Sequence, residues 1–558
     1  MKISVIDFLT HTLKTHSSKV AFVDEDSSLT FLELHLQSNV IANAISTMLQ
    51  ANTQKPIFVY LPKSTLCIST LIAVAKSGNF YTPGDIHFPL EKINAILNVL
   101  EPELVITDSK HIEKIKNADI HNAKILSLDS INLTQNIAYT MPKIPDTAPL
   151  YCLFTSGSTG VPKGVLIAHR SMIKFIQAMK KEYNITHSDN IANQAPFIFD
   201  VSAADMYNTI AAGACMYIVK KSLFAFPLKL VEFLNHHKIT FIYWVPSALS
   251  AIANADILSR VPCESLNKIC FGGEAMPNKT LNYWRKYCKQ AVFGNIYGPT
   301  EVTVACAFYT ANREFADSDS LPIGTPIENC EVLLLDDKHN AVKNGEIGEI
   351  CVKGTCLALG YYGDFTKTES VFVQNPLNTF WQERIYKTGD LGYLNEFGEL
   401  MYCGRKDSQI KHLGYRIELG EIESAMYGIE GIKNACVIYD EMARKIVAFM
   451  DSKNVGETEL IKILANKLAH YMLPNAVFTL DRFPLNDNGK IDRKALKAMY
   501  MANNTAGGGG EIIPLLFLLI FLIPLLLLLL VLLLAEKGVY RDSFAFNSLF
   551  SKKSERIC

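Results

Sequence analysis

The sequence predicts an α/β fold with a large N-terminal domain of layered α/β subdomains, hinged to a small α+β C-terminal domain. Short apolar runs, such as residues 57–61, 104–107 and 124–128, alternate with segments of helical spacing. Buried strands separated by helices are typical of largely parallel sheets. The chain has 558 residues, more than the roughly 250–300 that one hydrophobic core usually organises, so we expect several domains.

Further elements follow from local patterns along the chain. Residues 64–75 have helical spacing, and Lys76, Ser77 and Gly78 give the signal that ends a helix. Residues 330–402 contain short strands at 332–335, 349–352 and 399–402, separated by Gly, Asn and Asp turns. This stretch predicts a small β subdomain. Mixed α and β patterns return near Gly404 and end in a helix at residues 494–501.

The same patterns predict where the chain divides. We expect a large domain, a small C-terminal domain, a Gly-rich linker, a hydrophobic helix and a basic tail at residues 1–403, 404–500, 501–511, 512–535 and 536–558, respectively.

Charge and cysteine content restrict the possible partners. The 54 Lys and Arg residues nearly balance the 55 Asp and Glu residues, so no basic surface for nucleic acid is expected. The 13 cysteines show neither CxxC pairs nor zinc spacing, which indicates reduced thiols. The N-terminus lacks the apolar core of a signal peptide. We therefore expect the catalytic body to be cytoplasmic.

The most informative stretch is a loop of small hydroxyl residues and glycines after an apolar strand. Glycines let backbone N–H groups approach an anion, and successive N–H groups form a nest for phosphate. A Walker A loop is excluded because Gly164 follows Lys163 and the glycine spacing differs. The alternative is a flexible loop without a ligand. The candidate phosphate-binding residues are Thr155, Ser156, Gly157, Ser158, Thr159, Gly160 and Lys163.

This loop resembles the signature loop of the adenylate-forming superfamily, which includes acyl-CoA synthetases, luciferases, nonribosomal peptide synthetase adenylation domains and D-alanine–carrier protein ligases. The other motifs of that superfamily follow in order over residues 10–497, beginning with scaffold motifs at 29–34 and 76–85. The resemblance implies that ATP and Mg²⁺ are used to convert a carboxylate into an acyl-AMP.

Residues 295–301 resemble the next motif of the superfamily. The resemblance implies that Tyr297 stacks on adenine, Thr300 contacts the α-phosphate and Glu301 binds Mg²⁺. An aromatic face suits a purine, and a carboxylate suits a hard cation. Four neighbouring residues are expected at the nucleotide as well: Gly273, Glu274, Asn295 and Gly298.

The remaining motifs lie towards the C-terminus. The resemblance implies that Asp390 accepts the ribose hydroxyls, Arg405 lies near the ribose or phosphate, and Asp407 is the hinge between the two domains. Residues 414–423 open a helix, and their acidic side chains suit the helix dipole, so a structural role is expected. Lys490 matches the catalytic lysine of adenylation, and it completes a catalytic set with Lys163, Thr300 and Glu301.

Asp200 favours an amino acid over a plain acid. In the amino-acid branch the matching Asp pairs with the substrate α-ammonium, whereas a carboxylate facing a fatty or aryl acid would be costly. The alternative is that Asp200 caps a helix. The resemblance implies a neutral pocket for the substrate side chain, lined by Val201, Ala204, Tyr243, Cys270, Gly272, Ile296, Val304 and Ala305.

The pocket predicts a small or medium neutral substrate without naming it. Residues 205–207 are similar to D-alanine–carrier ligases, but those enzymes have Cys at the position of Gly272. Alanine, glycine and serine therefore stay open. No phosphopantetheine attachment motif follows Lys490. The expected acceptor is a separate carrier protein with a phosphopantetheine thiol, or free coenzyme A.

Two other functions are compatible with parts of this pattern. An acyl-CoA synthetase for a non-amino acid would share the nucleotide motifs. A degenerate, membrane-tethered nucleotide-binding protein without activity is disfavoured, because Thr300, Glu301, Asp390 and Lys490 are intact.

Residues 512–535 are almost purely Leu, Ile, Phe, Val and Pro, and this run exceeds the roughly 20 residues that cross a bilayer. One interpretation is a helix that anchors the enzyme to the inner face of a membrane. The basic tail would also prefer the cytoplasm, so a single crossing conflicts with a cytoplasmic catalytic domain. The other interpretation is a frameshifted extension, since Gly507–Gly510 could be encoded by a run of G.

Overall fold

The computed structural model describes residues 2–157, 160–406, 409–452, 454–485 and 491–505. The chain forms two compact units, Met1–Asp481 and Arg482–Cys558. All sheets described below belong to the first unit. This division does not test the domain boundary expected after residue 403 or the Gly-rich linker expected at residues 501–511, so both stay predictions.

A sheet of seven strands forms the first layer among the described residues. Five strands run parallel, and two antiparallel strands extend one edge. Such mixed edges are common in large α/β sheets. In spatial order the strands are Gly360–Tyr361, Lys163–Ala168, Pro149–Thr155, Phe80–Pro83, Pro56–Val59, Leu104–Thr107 and Lys124–Ser127.

A sheet of nine strands forms the second layer. Six central strands are parallel, and the strands at both ends are antiparallel. In spatial order they are Thr325–Pro326, Ala307–Thr310, Val292–Tyr297, Lys268–Gly272, Phe241–Trp244, Asn190–Asn193, Cys215–Ile218, Val20–Val23 and Ser28–Thr30.

The C-terminal third of the first unit is richer in antiparallel pairs. A five-stranded antiparallel sheet contains Cys330–Leu335, Gly348–Gly354, Arg384–Leu394, Phe372–Gln374 and Leu400–Arg405. A two-stranded ribbon, Gln409–His412 and Tyr415–Glu418, follows and is called the docking hairpin below. A three-stranded sheet, Ala435–Asp440, Lys445–Met450 and Ala476–Thr479, comes last.

Helices connect these strands, and several begin where the sequence supplies a cap. Thr30 and Glu33 form a reciprocal capping box, and the Ser64 side chain accepts a hydrogen bond from the Cys67 amide. The α-helices are Ile6–His16, Phe31–Met48, Thr65–Lys76, Leu90–Leu100, Ile112–Lys116, His169–Tyr183, Asp200–Ala212, Pro227–His236, Pro246–Asn254, Asn278–Tyr287, Phe365–Val371, Leu419–Tyr427, Glu457–Ala465 and Arg493–Thr505.

Two buried clusters explain how the layers hold together. One contains Ile57 of the seven-stranded sheet, Phe241 of the nine-stranded sheet and Met172 of helix His169–Tyr183, so both sheets share a core. The other joins Leu97 of helix Leu90–Leu100 to Ile422 of helix Leu419–Tyr427. The docking hairpin and the helix after it are therefore packed against the large N-terminal layers.

The predicted α/β class is confirmed, and the short strands predicted within 330–402 are present as antiparallel strands. No helix in the described part of the chain is long and apolar enough to cross a membrane. The predicted membrane helix at 512–535 lies outside the described residues, as do the remaining linker and the basic tail.

Candidate active site

A cavity of about 1020 Å³ opens where strands of both large sheets end, and 13 of the predicted site residues line it. Ligand sites of α/β proteins are commonly found at the carboxyl ends of parallel strands. The predicted residues that line this cavity are Thr155, Ser156, Asp200, Val201, Tyr243, Gly272, Gly273, Ile296, Gly298, Thr300, Val304, Asp390 and Arg405.

The predicted phosphate loop leaves the strand Pro149–Thr155 and is shaped by glycine. A Cβ atom on Gly157 would lie 1.9 Å from the Val161 carbonyl oxygen, and Gly160 has a φ of +83°. Both positions therefore need glycine. The Thr155 hydroxyl is buried without a hydrogen-bond partner among the described residues, as expected of a group that binds a ligand. Ser158 and Thr159 lie outside the described residues.

The docking hairpin packs directly on this loop. The Ser156 hydroxyl donates a hydrogen bond to the Arg416 carbonyl at 2.9 Å and accepts one from the Glu418 amide at 3.1 Å. The Lys163 ammonium lies 3.4 Å from the Glu418 carboxylate. Burial and the nearby Arg416 lower the pKa of Lys163. The hairpin therefore contacts two side chains that are predicted to bind phosphate, Ser156 and Lys163.

Glu301 is a fully buried carboxylate on the short turn Thr300–Val302. The Tyr361 hydroxyl donates to it at 2.8 Å, and the Arg416 guanidinium donates at 2.5 Å. Burial alone raises the pKa of Glu301, but the charges of Arg416 and Lys163 outweigh burial and lower it to about 2. Glu301 is therefore ionised at neutral pH.

Two residues after Glu301 adopt a conformation that side chains avoid. Thr303 and Val304 have φ values of 59° and 70°. For β-branched residues this left-handed backbone costs roughly 1–2 kcal/mol each. The Thr303 hydroxyl donates to the Cys356 carbonyl at 2.7 Å, which helps to hold the turn. Such strain is concentrated at functional sites, and here it lies directly after Glu301 in the chain.

Asp200 is the first residue of helix Asp200–Ala212, and Phe199 occupies the capping position without a side-chain cap. The interpretation of Asp200 as the helix cap is therefore wrong. Burial raises the pKa of Asp200 to about 6, even though a hydrogen bond from Thr300 lowers it. A buried carboxylate with a raised pKa is poised to gain from a cationic partner.

Tyr297, Asp390 and Arg405 form the predicted nucleoside part of the site. The Tyr297 hydroxyl donates to the Asp390 carboxylate at 2.6 Å, and the Arg405 guanidinium forms an ion pair with the other carboxylate oxygen. Asp390 and Arg405 lie opposite each other in adjacent strands. Asn295 lies nearby in sequence, but its amide donates to the Pro322 carbonyl at 2.8 Å, which indicates a supporting role.

The side-chain pocket is only partly as predicted. Ala204, Cys270 and Ala305 are buried but do not line the cavity, whereas the other five predicted residues do. A Cβ atom on Gly272 would lie 2.4 Å from the Ile296 carbonyl oxygen and 3.2 Å from the Tyr243 hydroxyl. The cysteine of D-alanine–carrier ligases therefore cannot replace Gly272 without a backbone shift.

Glu274 is predicted at the nucleotide, and in this structure its carboxylate connects two loops. It accepts hydrogen bonds from the Ser247 amide at 2.9 Å and from the Gly414 amide, in the turn of the docking hairpin, at 2.8 Å. Its neighbour Gly273 has a φ of +84° and lines the cavity.

The sequence reasoning missed the contribution of the docking hairpin. Gln409, Lys411, Tyr415 and Arg416 all line the cavity, although the motif alone predicts only a structural role for residues 414–423. The charged or amide residues Gln409, Lys411, Arg416 and Glu418 within ten positions of a short ribbon are a signal of a role at the site, because these residue types are seldom enclosed without one. Asp407 and Lys490 lie outside the described residues, so the hinge and the catalytic lysine stay predictions.

Metal ligands are sparse in the described part of the chain, where no cluster of three or more His, Cys, Asp or Glu side chains could hold an ion. Mg²⁺ needs few protein ligands when it binds together with a triphosphate, because phosphate oxygens and water complete its shell. The ionised Glu301 carboxylate has the charge that such a site requires, and in this structure it accepts a hydrogen bond from Arg416.

Family models and relatives agree with this geometry. Residues 9–362 match the model of the AMP-binding enzyme, and residues 421–490 match the AMP-binding enzyme C-terminal domain. Zwittermicin A synthase ZmaJ of Bacillus cereus is 33% identical over 488 residues, which cover 86% of this chain and 91% of that protein.

Gramicidin S synthase 2 of Brevibacillus brevis is 33% identical over 498 residues, 87% of this chain, but the chain spans only 11% of that protein. A solved structure of PA1221, a nonribosomal peptide synthetase protein containing adenylation and carrier (PCP) domains, superposes with a TM-score of 0.76 at 20% identity, covering 88% of this chain and 84% of that one. This likeness shows a shared fold.

Proposed function

Since this chain belongs to the AMP-binding enzyme family and is an adenylate-forming ligase, we propose that its substrate is a small or medium neutral amino acid. The enzyme joins the amino acid carboxylate to AMP with release of pyrophosphate. It then transfers the aminoacyl group to the phosphopantetheine thiol of a separate carrier protein.

The observation that carries this proposal is the position of Asp200. Its buried carboxylate lines the cavity beside Thr300, the residue expected at the α-phosphate. An α-ammonium bound there would compensate the burial of the carboxylate, which a plain acid cannot do. The reacting carboxylate of an amino acid held in this way would face the nucleotide.

The size and polarity of the pocket favour a small or medium neutral side chain. Val201, Tyr243, Ile296 and Val304 line the space beyond Asp200, and none of them carries a charge. The bulky Tyr243 ring occupies part of that space, and its hydroxyl would lie 3.2 Å from a Cβ atom on Gly272. A charged side chain would lose its hydration without an ionic partner from these residues.

Adenylation depends on positioning and on charge stabilisation. Attack of the carboxylate on the α-phosphorus spreads negative charge over phosphate oxygens. We assign Thr300, Lys163 and Lys490 to those oxygens, and Tyr297 and Asp390 to the nucleoside. Glu301 would hold Mg²⁺, which supplies positive charge to the triphosphate when bound.

The described arrangement fits the transfer step better than adenylation. The Ser156 hydroxyl donates a hydrogen bond to the docking hairpin, and the Arg416 guanidinium of the hairpin donates one to the Glu301 carboxylate. A triphosphate with Mg²⁺ needs both groups, so it competes with this arrangement. After pyrophosphate has left, the hairpin can dock and the acyl group can meet the thiol. We infer that the hairpin exchanges with the Lys490 segment between the two steps.

The comparison with PA1221 supports a carrier protein as the acceptor of the aminoacyl group. PA1221, which shares this fold, combines an adenylation domain with a carrier domain. Here the carrier is proposed to be a separate protein. Free coenzyme A remains an outcome that the transfer assay can reveal.

Cytoplasmic location and membrane anchoring rest on sequence alone. If residues 512–535 form an anchor, the full chain will sediment with membranes, and a chain ending at residue 505 will not. Sequencing the codons of Gly507–Gly510 tests the frameshift alternative, because a run of G is required there.

ATP–pyrophosphate exchange tests the proposed function directly. A panel should contain the proteinogenic amino acids, D-alanine, and simple acids such as acetate, hexanoate and benzoate. We expect exchange with one or a few small neutral amino acids and none with the simple acids. Exchange with a simple acid alone would contradict this proposal and would indicate that the protein is an acyl-CoA synthetase.

A further inference from the structure

Two side chains donate to the Glu301 carboxylate in the described part of the chain, and each takes a different oxygen. The Tyr361 hydroxyl donates to Oε1 at 2.8 Å, and the Arg416 guanidinium donates to Oε2 at 2.5 Å. Arg416 belongs to the docking hairpin, whereas Tyr361 lies in the edge strand of the seven-stranded sheet. The two donors therefore reach Glu301 from different elements, and only the hairpin is proposed to exchange between the two reactions.

The edge strand holds the Tyr361 backbone from two sides. Tyr361 is paired with Val165 of strand Lys163–Ala168, and its amide donates to the Thr368 hydroxyl at 2.9 Å. Gly360 has a φ of +141°, and a Cβ atom there would lie 2.7 Å from the methyl carbon of Thr368. Glycine is therefore favoured at this position, where it lets Thr368 approach the backbone that carries Tyr361.

The segment that carries Tyr361 also holds the main chain of the Glu301 turn. The Ala358 amide donates to the Glu301 carbonyl at 2.9 Å, and the Cys356 carbonyl accepts from the Thr303 hydroxyl at 2.7 Å. Glu301 is thus contacted at its carbonyl and at its carboxylate by two residues that are three positions apart. Hydrogen bonds of this kind orient a carboxylate before it binds a ligand.

The Tyr361 ring faces the lysine of the phosphate loop as well. The Lys163 ammonium lies 5.7 Å from the centroid of this ring, within the range of a cation–π contact. One buried side chain therefore contacts Glu301 through its hydroxyl and Lys163 through its ring. Both of these partners are assigned to the triphosphate and its metal ion in the proposed function.

We propose that Tyr361 is a positioning residue for adenylation, which holds the Glu301 carboxylate in the orientation that binds Mg²⁺ together with ATP. This inference rests on the proposed function, in which Glu301 holds Mg²⁺ and the docking hairpin leaves. The Glu301 Oε2 oxygen then loses its contact with the Arg416 cation, while Oε1 still accepts from Tyr361. Tyr361 therefore keeps one oxygen in place and leaves the other for the metal ion.

The same reasoning limits the effect of the Tyr361 hydroxyl to one half-reaction. In the arrangement assigned to transfer, Arg416 orients and neutralises Glu301, so a second donor adds little. In adenylation Arg416 is absent, and Tyr361 is the donor that stays. A residue that served only the stability of the fold would affect both half-reactions alike.

The test compares Tyr361→Phe with Tyr362→Phe in the full chain. Phe keeps the ring that faces Lys163 and removes only the hydroxyl that donates to Glu301. Tyr362 is the matched control, because it is the next residue and its ring packs beside Phe80 with the centroids 5.6 Å apart. Metal binding is measured without turnover, from the electron paramagnetic resonance signal of free Mn²⁺ titrated into enzyme with α,β-methylene-ATP. Adenylation is measured by ATP–pyrophosphate exchange, and transfer by single-turnover thioester formation from enzyme-bound aminoacyl-AMP with pantetheine.

We expect Tyr361→Phe to weaken Mn²⁺ binding by about tenfold, the usual cost of losing one hydrogen bond to a charged group. The KM for Mg²⁺ with ATP in the exchange reaction should rise to the same degree, whereas kcat and the transfer rate should stay within about threefold of wild type. Tyr361→Leu, which also removes the ring beside Lys163, should raise this KM further. Tyr362→Phe should change none of these quantities.

Mn²⁺ binding at wild-type strength in Tyr361→Phe overturns the inference. An equal loss in both half-reactions, or a Tyr361→Phe protein that does not fold, indicates a structural role and overturns it too. If the wild-type enzyme exchanges pyrophosphate with no amino acid, the proposed substrate fails instead. Mn²⁺ binding still decides the role of Tyr361 in that case, because the binding assay contains no amino acid.

Discussion

At the scale of single residues, two buried carboxylates in one site have opposite properties. Burial raises the pKa of Asp200 to about 6, whereas burial of Glu301 is outweighed by Arg416 and Lys163, which lower its pKa to about 2. Pairs of acids with pKa values driven apart are typical of sites in which each acid has a separate task. In the proposed function, the ionised Glu301 carboxylate would bind a cation, and the Asp200 carboxylate would pair with the ammonium of the substrate.

Asp200→Asn should stabilise the ligand-free protein at neutral pH. The carboxylate has a raised pKa in the folded state, so its cost is present above pH 6 and disappears as pH falls towards the unfolded value near 4. A rise of about two pKa units corresponds to about 3 kcal/mol.

Differential scanning calorimetry between pH 4 and pH 8 measures this effect. The melting temperature of Asp200→Asn should exceed that of wild type at pH 8 and converge with it near pH 4. Asp337→Asn, at an exposed acid, is the matched control. A variant that is less stable than wild type at pH 8 would mean that Asp200 is neutralised by the protein itself.

At the scale of elements, the docking hairpin and helix Leu419–Tyr427 are joined to the N-terminal layers by charged pairs. Arg416 reaches Glu301, Glu418 lies beside Lys163, and Glu421 forms a buried ion pair with Lys92 of helix Leu90–Leu100. The helix dipole explains why acidic residues stand in this first turn, but it does not explain these partners.

This contrast shows which features could be predicted from the sequence. Residues 104–107 and 64–75 form the expected strand and helix because local patterns and caps determine them. Asp390 and Arg405 converge as expected, because they lie in one sheet. The Lys92–Glu421 pair spans more than 300 positions, and no local periodicity encodes such a contact.

Lys92→Met should weaken the docked arrangement, because it leaves the buried Glu421 carboxylate without its cation. We expect transfer to fall by about tenfold and pyrophosphate exchange to stay unchanged or rise. Single-turnover assays of both half-reactions measure this split. Lys55→Met, which removes an exposed ion pair with Glu103, should change neither. An equal loss of both activities in Lys92→Met would contradict a role in docking.

At the scale of the whole molecule, the proposed function requires the chain to alternate between two reactions that need different residues. The first unit supplies the cavity, the nucleotide residues and the docking hairpin, and the second unit carries Lys490. Exchange of one segment for another between half-reactions is a form of gating. The family assignment shows that the chain is an adenylate-forming ligase. The alternation between two reactions is a proposal, and it follows from the hydrogen bonds that Ser156 and Glu301 form with the docking hairpin.

Lys490→Ala tests the alternation from the side of adenylation. We expect pyrophosphate exchange to fall by at least 100-fold, because a positive charge on the reacting phosphate is lost. Thioester formation from supplied aminoacyl-AMP should stay within about threefold of wild type. Lys497→Ala, in helix Arg493–Thr505, is the matched control. Loss of both half-reactions to the same degree in a folded variant would disprove the separation.

The most direct measurement of the central claim compares one amino acid with the same acid lacking its amino group. ATP–pyrophosphate exchange should be followed for both compounds with wild type and with Asp200→Ala. The account predicts that wild type prefers the amino acid by about 100-fold or more, and that Asp200→Ala loses most of that preference. Equal exchange of both compounds by wild type would contradict the account.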